Sequence, residues 1–283
     1  MEHFSDRTKI MLGDGYERLP KARVAVFGVG GVGGYAVEAL ARAGVGSLVL
    51  VDSDTVSVSN INRQIIATAD TVGKYKTEAA RERILSINPD CKVELHTVFF
   101  TKETKGEFDF SSYDYVIDAI DSLSSKIELI MAARAAGAKI ISAMGAGNKL
   151  NPTRFKVADI SKTSVCPLAR AVRVELRKRG INHLKVVFSD EPPFINTVAQ
   201  QIITADTAPN RDTPPTTCIE NGSQEPTPYD KNGRNSVGEK QKYDTRRAPG
   251  SVSFVPSVMG LILAGEVIKD IALAQRLLSF VHR

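Results

Sequence analysis

The sequence predicts an α/β fold, a doubly wound and mostly parallel sheet with helices on both faces and a C-terminal extension. Three observations carry that expectation. Apolar, β-branched runs alternate with stretches of helical periodicity, a glycine-rich turn leads from the first such run straight into a helix, and the helical stretches close on residues suited to ending them. With 283 residues, 42% hydrophobic and 24% charged, the chain is long enough to bury the core of one large α/β domain or of a domain with an appendage.

Taken in order, residues 4–19 form an amphipathic segment, and residues 23–27 a strand that ends directly in glycines. Val32, Ala36, Leu40 and Ala43 recur at helical intervals, and Gly44 suits a left-handed helix end. A strand at 47–51 follows, then a helix at 74–87 stopped by Asn88 and Pro89, because proline cannot continue the ladder. Strands at 93–98 and 113–117, a helix at 122–136 and a strand at 139–143 complete the alternation. The second half is less regular, with a strand at 155–158, a helix at 165–179 and a strand at 184–188. Residues 204–249 are rich in Pro, Asn, Asp, Thr and Lys, bury too little apolar surface to offset their ordering entropy, and are expected to form a mobile polar loop. Pro256 can start a last helix with Met259, Leu263 and Val267 on one side. The expected division is a nucleotide-binding domain with an N-terminal helix over 1–150 and an extension of the same fold over 151–283.

Several classes are disfavoured by composition. No apolar stretch approaches the roughly 18 residues that a bilayer requires, and the opening MEHFSDRTKI lacks the basic end and apolar run of a secretory signal. A cytoplasmic enzyme without a membrane partner is expected. Cys91, Cys166 and Cys218 form no CxxC pair, so neither a disulfide framework nor a four-thiolate zinc site is expected. The formal net charge of +5 allows a polyanionic partner without demanding one.

The chemistry is concentrated where the first strand meets its helix. Gly28, Gly30, Gly31 and Gly33 occupy the strand–turn–helix context of the Rossmann-like dinucleotide fingerprint, where backbone amides and a helix N-terminus face phosphate. Asp52, about 20 residues on, ends the second strand where a carboxylate can bind ribose hydroxyls. The next segment, DSDTVSVSNINRQ, distinguishes a triphosphate from a nicotinamide. Asp52, Asp54, Asn60, Asn62 and Arg63, with Lys74 and Lys76 soon after, gather amide and cationic groups of little use to hydride transfer. They suit a polyphosphate whose charge grows as pyrophosphate leaves. Asp118 and Asp121 follow the fourth strand, among the carboxyl ends where ligands of such sheets collect, and either can hold magnesium.

The stretch GVGGVGGYAVEALARAGVGSLVLVDSDTVSVSNINRQ, with Lys76 and DAIDS beyond it, resembles the ThiF/MoeB/ubiquitin-activating superfamily over roughly residues 4–146. The resemblance implies an ATP-binding adenylylation domain in which Asp52 binds ribose, Asn60, Arg63 and Lys76 hold the triphosphate and Asp121 takes the magnesium. Arg7 resembles the arginine that a second subunit inserts at the phosphates, which implies a homodimer.

The second half, with GAGNKLNPTRFKVADISKTSVCPLARAVRVELRKRGI and later RRAPGSVSFVPSVMGLILAGEVIKDIA, resembles the tRNA threonylcarbamoyladenosine dehydratase branch. That implies ATP-dependent ring closure of threonylcarbamoyladenosine in tRNA through adenylylation of its side-chain carboxylate. Arg170, Arg173 and Arg177 share a helix face, and with Lys240, Lys242, Arg246 and Arg247 they are candidate contacts to tRNA phosphates. Cys166 and Cys218 are candidates for a sulfur-transfer role, because some relatives partner a cysteine desulfurase. Two other readings remain open: an adenylyltransferase acting on the C-terminus of a small sulfur-carrier or ubiquitin-like protein, and a nucleotide-binding module without turnover.

Overall fold

The computed structural model describes residues 3–194 and 249–273, so the polar stretch at 204–248, with Cys218, Lys240, Lys242, Arg246 and Arg247, lies outside the described residues. A short helix α1 (Asp6–Leu12) passes into a 3-10 helix (Gly13–Lys21). The amphipathic segment therefore does not continue as one α-helix. Gly13, Gly15 and Pro20 interrupt it, since glycine and proline are the weakest helix formers.

Strand β1 (Arg23–Phe27) leads to α2 (Gly33–Ala43), β2 (Ser47–Val51), α3 (Lys76–Ile87) and β3 (Lys92–His96). Then come β4 (Tyr115–Asp118), α4 (Leu123–Ala135), β5 (Lys139–Ala143), β6 (Phe155–Asp159), α5 (Pro167–Lys178), β7 (Lys185–Ser189) and α6 (Phe254–Ala272). Helix α2 ends as its sequence predicts, on Gly44 in the left-handed region. Helix α6 begins before Pro256, which sits in the first turn where its missing N–H costs nothing.

The strands form one seven-stranded sheet in the order β3-β2-β1-β4-β5-β7-β6, parallel throughout except for the antiparallel pair β6–β7. Strands from either side of residue 150 thus share a single sheet. Strand side chains alternate between its faces. Val24, Val26, Leu48, Leu50 and Ile117 join the core that α2, α3 and α6 cover, whereas Ala25, Phe27, Val49 and Val116 join the one under α4 and α5. Helices on both faces make the sheet doubly wound. Among the described residues, no helix is long and apolar enough to cross a membrane.

Helix α6 fixes the region that matters most. A Cβ on Gly260 would stand 2.2 Å from the carbonyl oxygen of Val32, the residue that caps α2, so the two helices touch backbone to backbone at the start of α2. At its other end α6 is tied to the sheet: Tyr115 Oη donates to Asp270 at 2.7 Å, and Lys185 bridges Asp270 and Glu266 at 2.9 and 2.7 Å.

Candidate nucleotide site

Strand order reverses direction at β1, whose neighbours are β2 and β4. Ligands of open α/β sheets bind at such a point, outside the carboxyl ends of the strands. The glycine turn occupies that position. Gly28 adopts φ +88°, and a Cβ there would meet the Ala119 carbonyl oxygen at 2.7 Å; one on Gly33 would meet the Gly28 carbonyl oxygen at 1.8 Å. These two glycines let the turn close against the sheet. Gly30 and Gly31 are less crowded by the fold, the nearest atom to a Cβ on Gly30 being Gln64 Nε2 at 3.8 Å, so their backbone is open to a ligand.

Asp52 braces the turn. Its Oδ2 accepts the Val29 amide at 2.7 Å and its Oδ1 the Asp54 amide at 2.9 Å. Lys76, the first residue of α3, sets its Nζ 2.7 Å from Asp54 Oδ2 and 3.9 Å from Asp52 Oδ1. Burial pushes the Asp52 carboxyl above its ordinary pKa, with Lys76 and the two amides pulling the other way. The partner that Lys76 contacts directly, Asp54, is 58% exposed, so little is lost when the ammonium turns to another anion.

Other predicted residues are less closely gathered. The Asn60 side chain accepts the Ser57 amide at 3.1 Å and caps its own 3-10 turn. Arg63 donates to the Ser59 carbonyl at 2.8 Å and to Asn62 Oδ1 at 2.9 Å, while Asn62 reaches the Ser251 carbonyl at 3.0 Å. Asp121 is exposed, and Arg7 is exposed on α1. Neither has a hydrogen-bond or ion-pair partner among the described residues. Asp118 is neither helix cap nor open carboxylate, the two alternatives its sequence position left. It is fully buried and pairs with the fully buried Lys126 at 2.7 Å, with Ser142 Oγ and the Ile120 amide as further donors. Lys126 also donates to the Ala143 carbonyl at 2.9 Å.

Sequence reasoning missed Lys126, Ser142, Gly260 and Gln64. Gln64 is buried against the glycine turn, and its Oε1 has no partner, an unpaired polar atom beside an open backbone that a polar ligand would satisfy. The signal for Gln64 was its place at the end of the polar segment after β2.

On α5, Arg170 and Arg177 are exposed, but Arg173 is half-buried and donates to Thr163 and to the Ile160 carbonyl. The shared face predicted for the three arginines is therefore free at its ends and tied down in its middle. Cys91 and Cys166 are buried, and burial pushes the Cys91 thiol up to about 11.

The ThiF family model matches residues 6–280. The tRNA threonylcarbamoyladenosine dehydratase of Bacillus subtilis (strain 168) is 41% identical over 275 residues, which cover 96% of this chain and 95% of that protein. The crystal structure of the Escherichia coli tRNA N6-threonylcarbamoyladenosine dehydratase in complex with ATP superposes with a TM-score of 0.74 at 29% identity, covering 96% of this chain and 95% of that one. A probable adenylyltransferase/sulfurtransferase, MoeZ of Mycobacterium tuberculosis (strain ATCC 25618 / H37Rv), is 39% identical over 124 residues, covering 44% of this chain and 31% of that protein.

Proposed function

The chain belongs to the ThiF family, and from that premise we propose that it is an ATP-dependent tRNA threonylcarbamoyladenosine dehydratase. One observation carries the choice within the family. The likeness to the Bacillus subtilis dehydratase runs through 96% of the chain, whereas that to the adenylyltransferase covers 44%.

In this reading the ATP triphosphate lies along the glycine turn, its ribose on Asp52. Lys76 exchanges Asp54 for the phosphates, Arg63 swings from the Ser59 carbonyl to join it, and Asn60 adds an amide. A carboxylate oxygen of the threonylcarbamoyl side chain attacks the α-phosphorus, an O–P bond forms and pyrophosphate leaves. The carboxylate, a poor electrophile, becomes a mixed anhydride with AMP as its leaving group. The carbamoyl group of the same side chain then attacks the acyl carbon and gives up an N–H proton to solvent, closing the ring as AMP departs. Holding attacker and electrophile on one substrate supplies the proximity, so no enzyme nucleophile is needed.

Asp121 suits magnesium, which takes one or two carboxylates and otherwise keeps phosphates and water. Bound there, the ion would neutralise charge on the leaving pyrophosphate. Arg7, exposed and unpaired among the described residues, suits a homodimer in which each copy's α1 reaches the other's phosphates. A cytoplasmic setting accords with a tRNA substrate. Of the two candidate sulfur-transfer cysteines, Cys166 is buried and Cys218 lies outside the described residues.

Mass analysis of nucleosides after incubation with ATP, magnesium and modified tRNA tests the reading. A loss of about 18 mass units, one water, is expected from the modified adenosine, dependent on ATP. Unchanged nucleosides, or pyrophosphate release that follows a small carrier protein instead of tRNA, would overturn it.

A further inference from the structure

A cavity of about 530 Å³ opens along α5 and the turn before it, beside the first residue of α4, within the roughly 300–1,000 Å³ range of small-molecule sites. Its wall combines the aliphatic residues Leu123, Val165, Ala171 and Val174 with Arg170 and Arg173. Val165 and Val174 are 54% and 44% exposed and lie together in this wall.

The backbone is unusual at this place. Val165 has φ +63°, a conformation that a β-branched residue rarely adopts. A 2.6 Å hydrogen bond from the Cys166 amide to the Ser164 carbonyl closes the turn around it. The strained turn presents an apolar side chain to the cavity.

Of the two cations one is free and the other is held on one side. Arg170 is exposed and has no side-chain partner among the described residues. Arg173 is steadied through Nη1 alone, on Thr163 and Ile160, which leaves the rest of its fork available. The one acid in the wall, Glu175, is held by Lys178 and Arg179 at 2.7 Å each.

Placement adds the decisive argument. Leu123 comes two residues after Asp121, and the Cys166 sulfur lies 3.6 Å from where a Cβ on Gly145, just past β5, would stand. The end of the cavity at Leu123 and Cys166 therefore borders the carboxyl ends of β4 and β5, on the same edge of the sheet as the glycine turn. Two strand spacings, about 10 Å, separate β5 from β1.

We propose that this cavity receives the modified adenosine of the RNA, its purine between the valines and the guanidinium planes, and a flanking phosphate on Arg170. Splayed bases of RNA loops are recognised by stacking of this kind. The chain from adenine N6 to the carboxyl carbon spans about 5 Å, about one and a half residues of extended backbone, so a base seated at the Leu123 end extends its carboxylate toward Asp121 and the nucleotide. This inference rests on the dehydratase reading and assigns its substrate site.

The test is steady-state ring closure on an anticodon stem-loop RNA carrying threonylcarbamoyladenosine, with ATP affinity measured by calorimetry. Ala171→Trp, which fills the cavity, and Arg170→Glu, which reverses its charge, should each raise KM for the RNA at least about tenfold, while leaving the ATP Kd within about twofold. Retained ATP binding shows that the variants fold. An unchanged KM in both variants, with the unsubstituted chain active, would overturn the site alone. An unsubstituted chain that leaves the RNA mass unchanged overturns the dehydratase reading and this inference with it.

Discussion

Two aspartate–lysine pairs flank the glycine turn, one beyond each neighbour of β1. On the β4 side, Asp118 and Lys126 meet at 2.7 Å with neither side chain exposed at all. On the β2 side, Lys76 is 8% exposed and meets an Asp54 that is 58% exposed, also at 2.7 Å. Residue types and distance match, yet the surroundings assign opposite tasks. A sealed pair has exchanged its hydration for fixed partners and cannot release them without leaving an uncompensated buried charge. A half-open pair has water and ligand as alternatives, so its lysine can change anions cheaply. The sealed pair holds the backbone leading from β4 to Asp121, and the open one offers a cation to the phosphates.

Breaking the sealed pair should have the largest effect. Lys126→Met leaves Asp118 buried without its cation, and a loss of about 3–5 kcal/mol in unfolding free energy is expected by denaturant titration. A cost below about 1 kcal/mol, the exposed-pair range, would erase the contrast between the two pairs.

The same change in the open pair should spare the fold and strike the chemistry. Lys76→Met is expected to lower kcat about 100-fold, the effect of removing one donor from a developing charge, with a smaller loss of stability than Lys126→Met, because the exposed Asp54 keeps its water and only Asp52, 3.9 Å away, loses a buried cation. Equal losses of stability in the two variants would show that Lys76 is structural as well.

These pairs also show what a sequence can and cannot disclose. Asp52, Lys76 and the glycine turn were legible because their tasks depend on local order along the chain: strand, turn, helix N-terminus, and an acid at the end of the next strand. The division of labour within the turn was not, since Gly28 and Gly33 face crowding from Ala119 and from the turn itself, whereas Gly30 does not. Asp118 was legible as a residue at a strand end but not as a sealed ion, because its partners come from positions 8 and 24 residues away that share no motif with it. Lys126 sits in a helix where a lysine ordinarily faces water. Strand and helix positions followed periodicity closely. Helix α1 fell short of its amphipathic pattern where glycines intervened.

Support for the turn from behind extends the comparison to a third place. Gly260 lets α6 touch the start of α2, with a Cβ at that position only 2.2 Å from the Val32 carbonyl. Gly260→Ala should therefore push the helices apart and cost about 1–3 kcal/mol, as overpacked contacts do. Because the displaced segment carries the phosphate-facing amides, ATP affinity measured by calorimetry should fall as well. A variant that loses stability with nucleotide affinity intact would separate α6 from the site.

The smallest effect belongs to a three-membered ion cluster intermediate between the two pairs in exposure. Glu38, 8% exposed at its side chain, is held by Arg83 at 2.5 Å and Arg42 at 2.7 Å, whose own side chains are 39% and 60% exposed. Burial raises the Glu38 pKa, but the hydrogen bonds and charges of the two arginines outweigh it and hold the carboxyl below its ordinary value of 4.5. A carboxyl lowered in the folded state stabilises the fold fully above its unfolded pKa and loses that contribution as pH falls through the folded one. Glu38→Gln should thus cost about 1 kcal/mol near pH 7, with the gap to the unsubstituted chain closing as the medium is acidified below 4.5. Unfolding free energies followed across that range check the sign. A gap that widened on acidification would mean that burial outweighs the arginines, and would move Glu38 to the sealed side of the comparison.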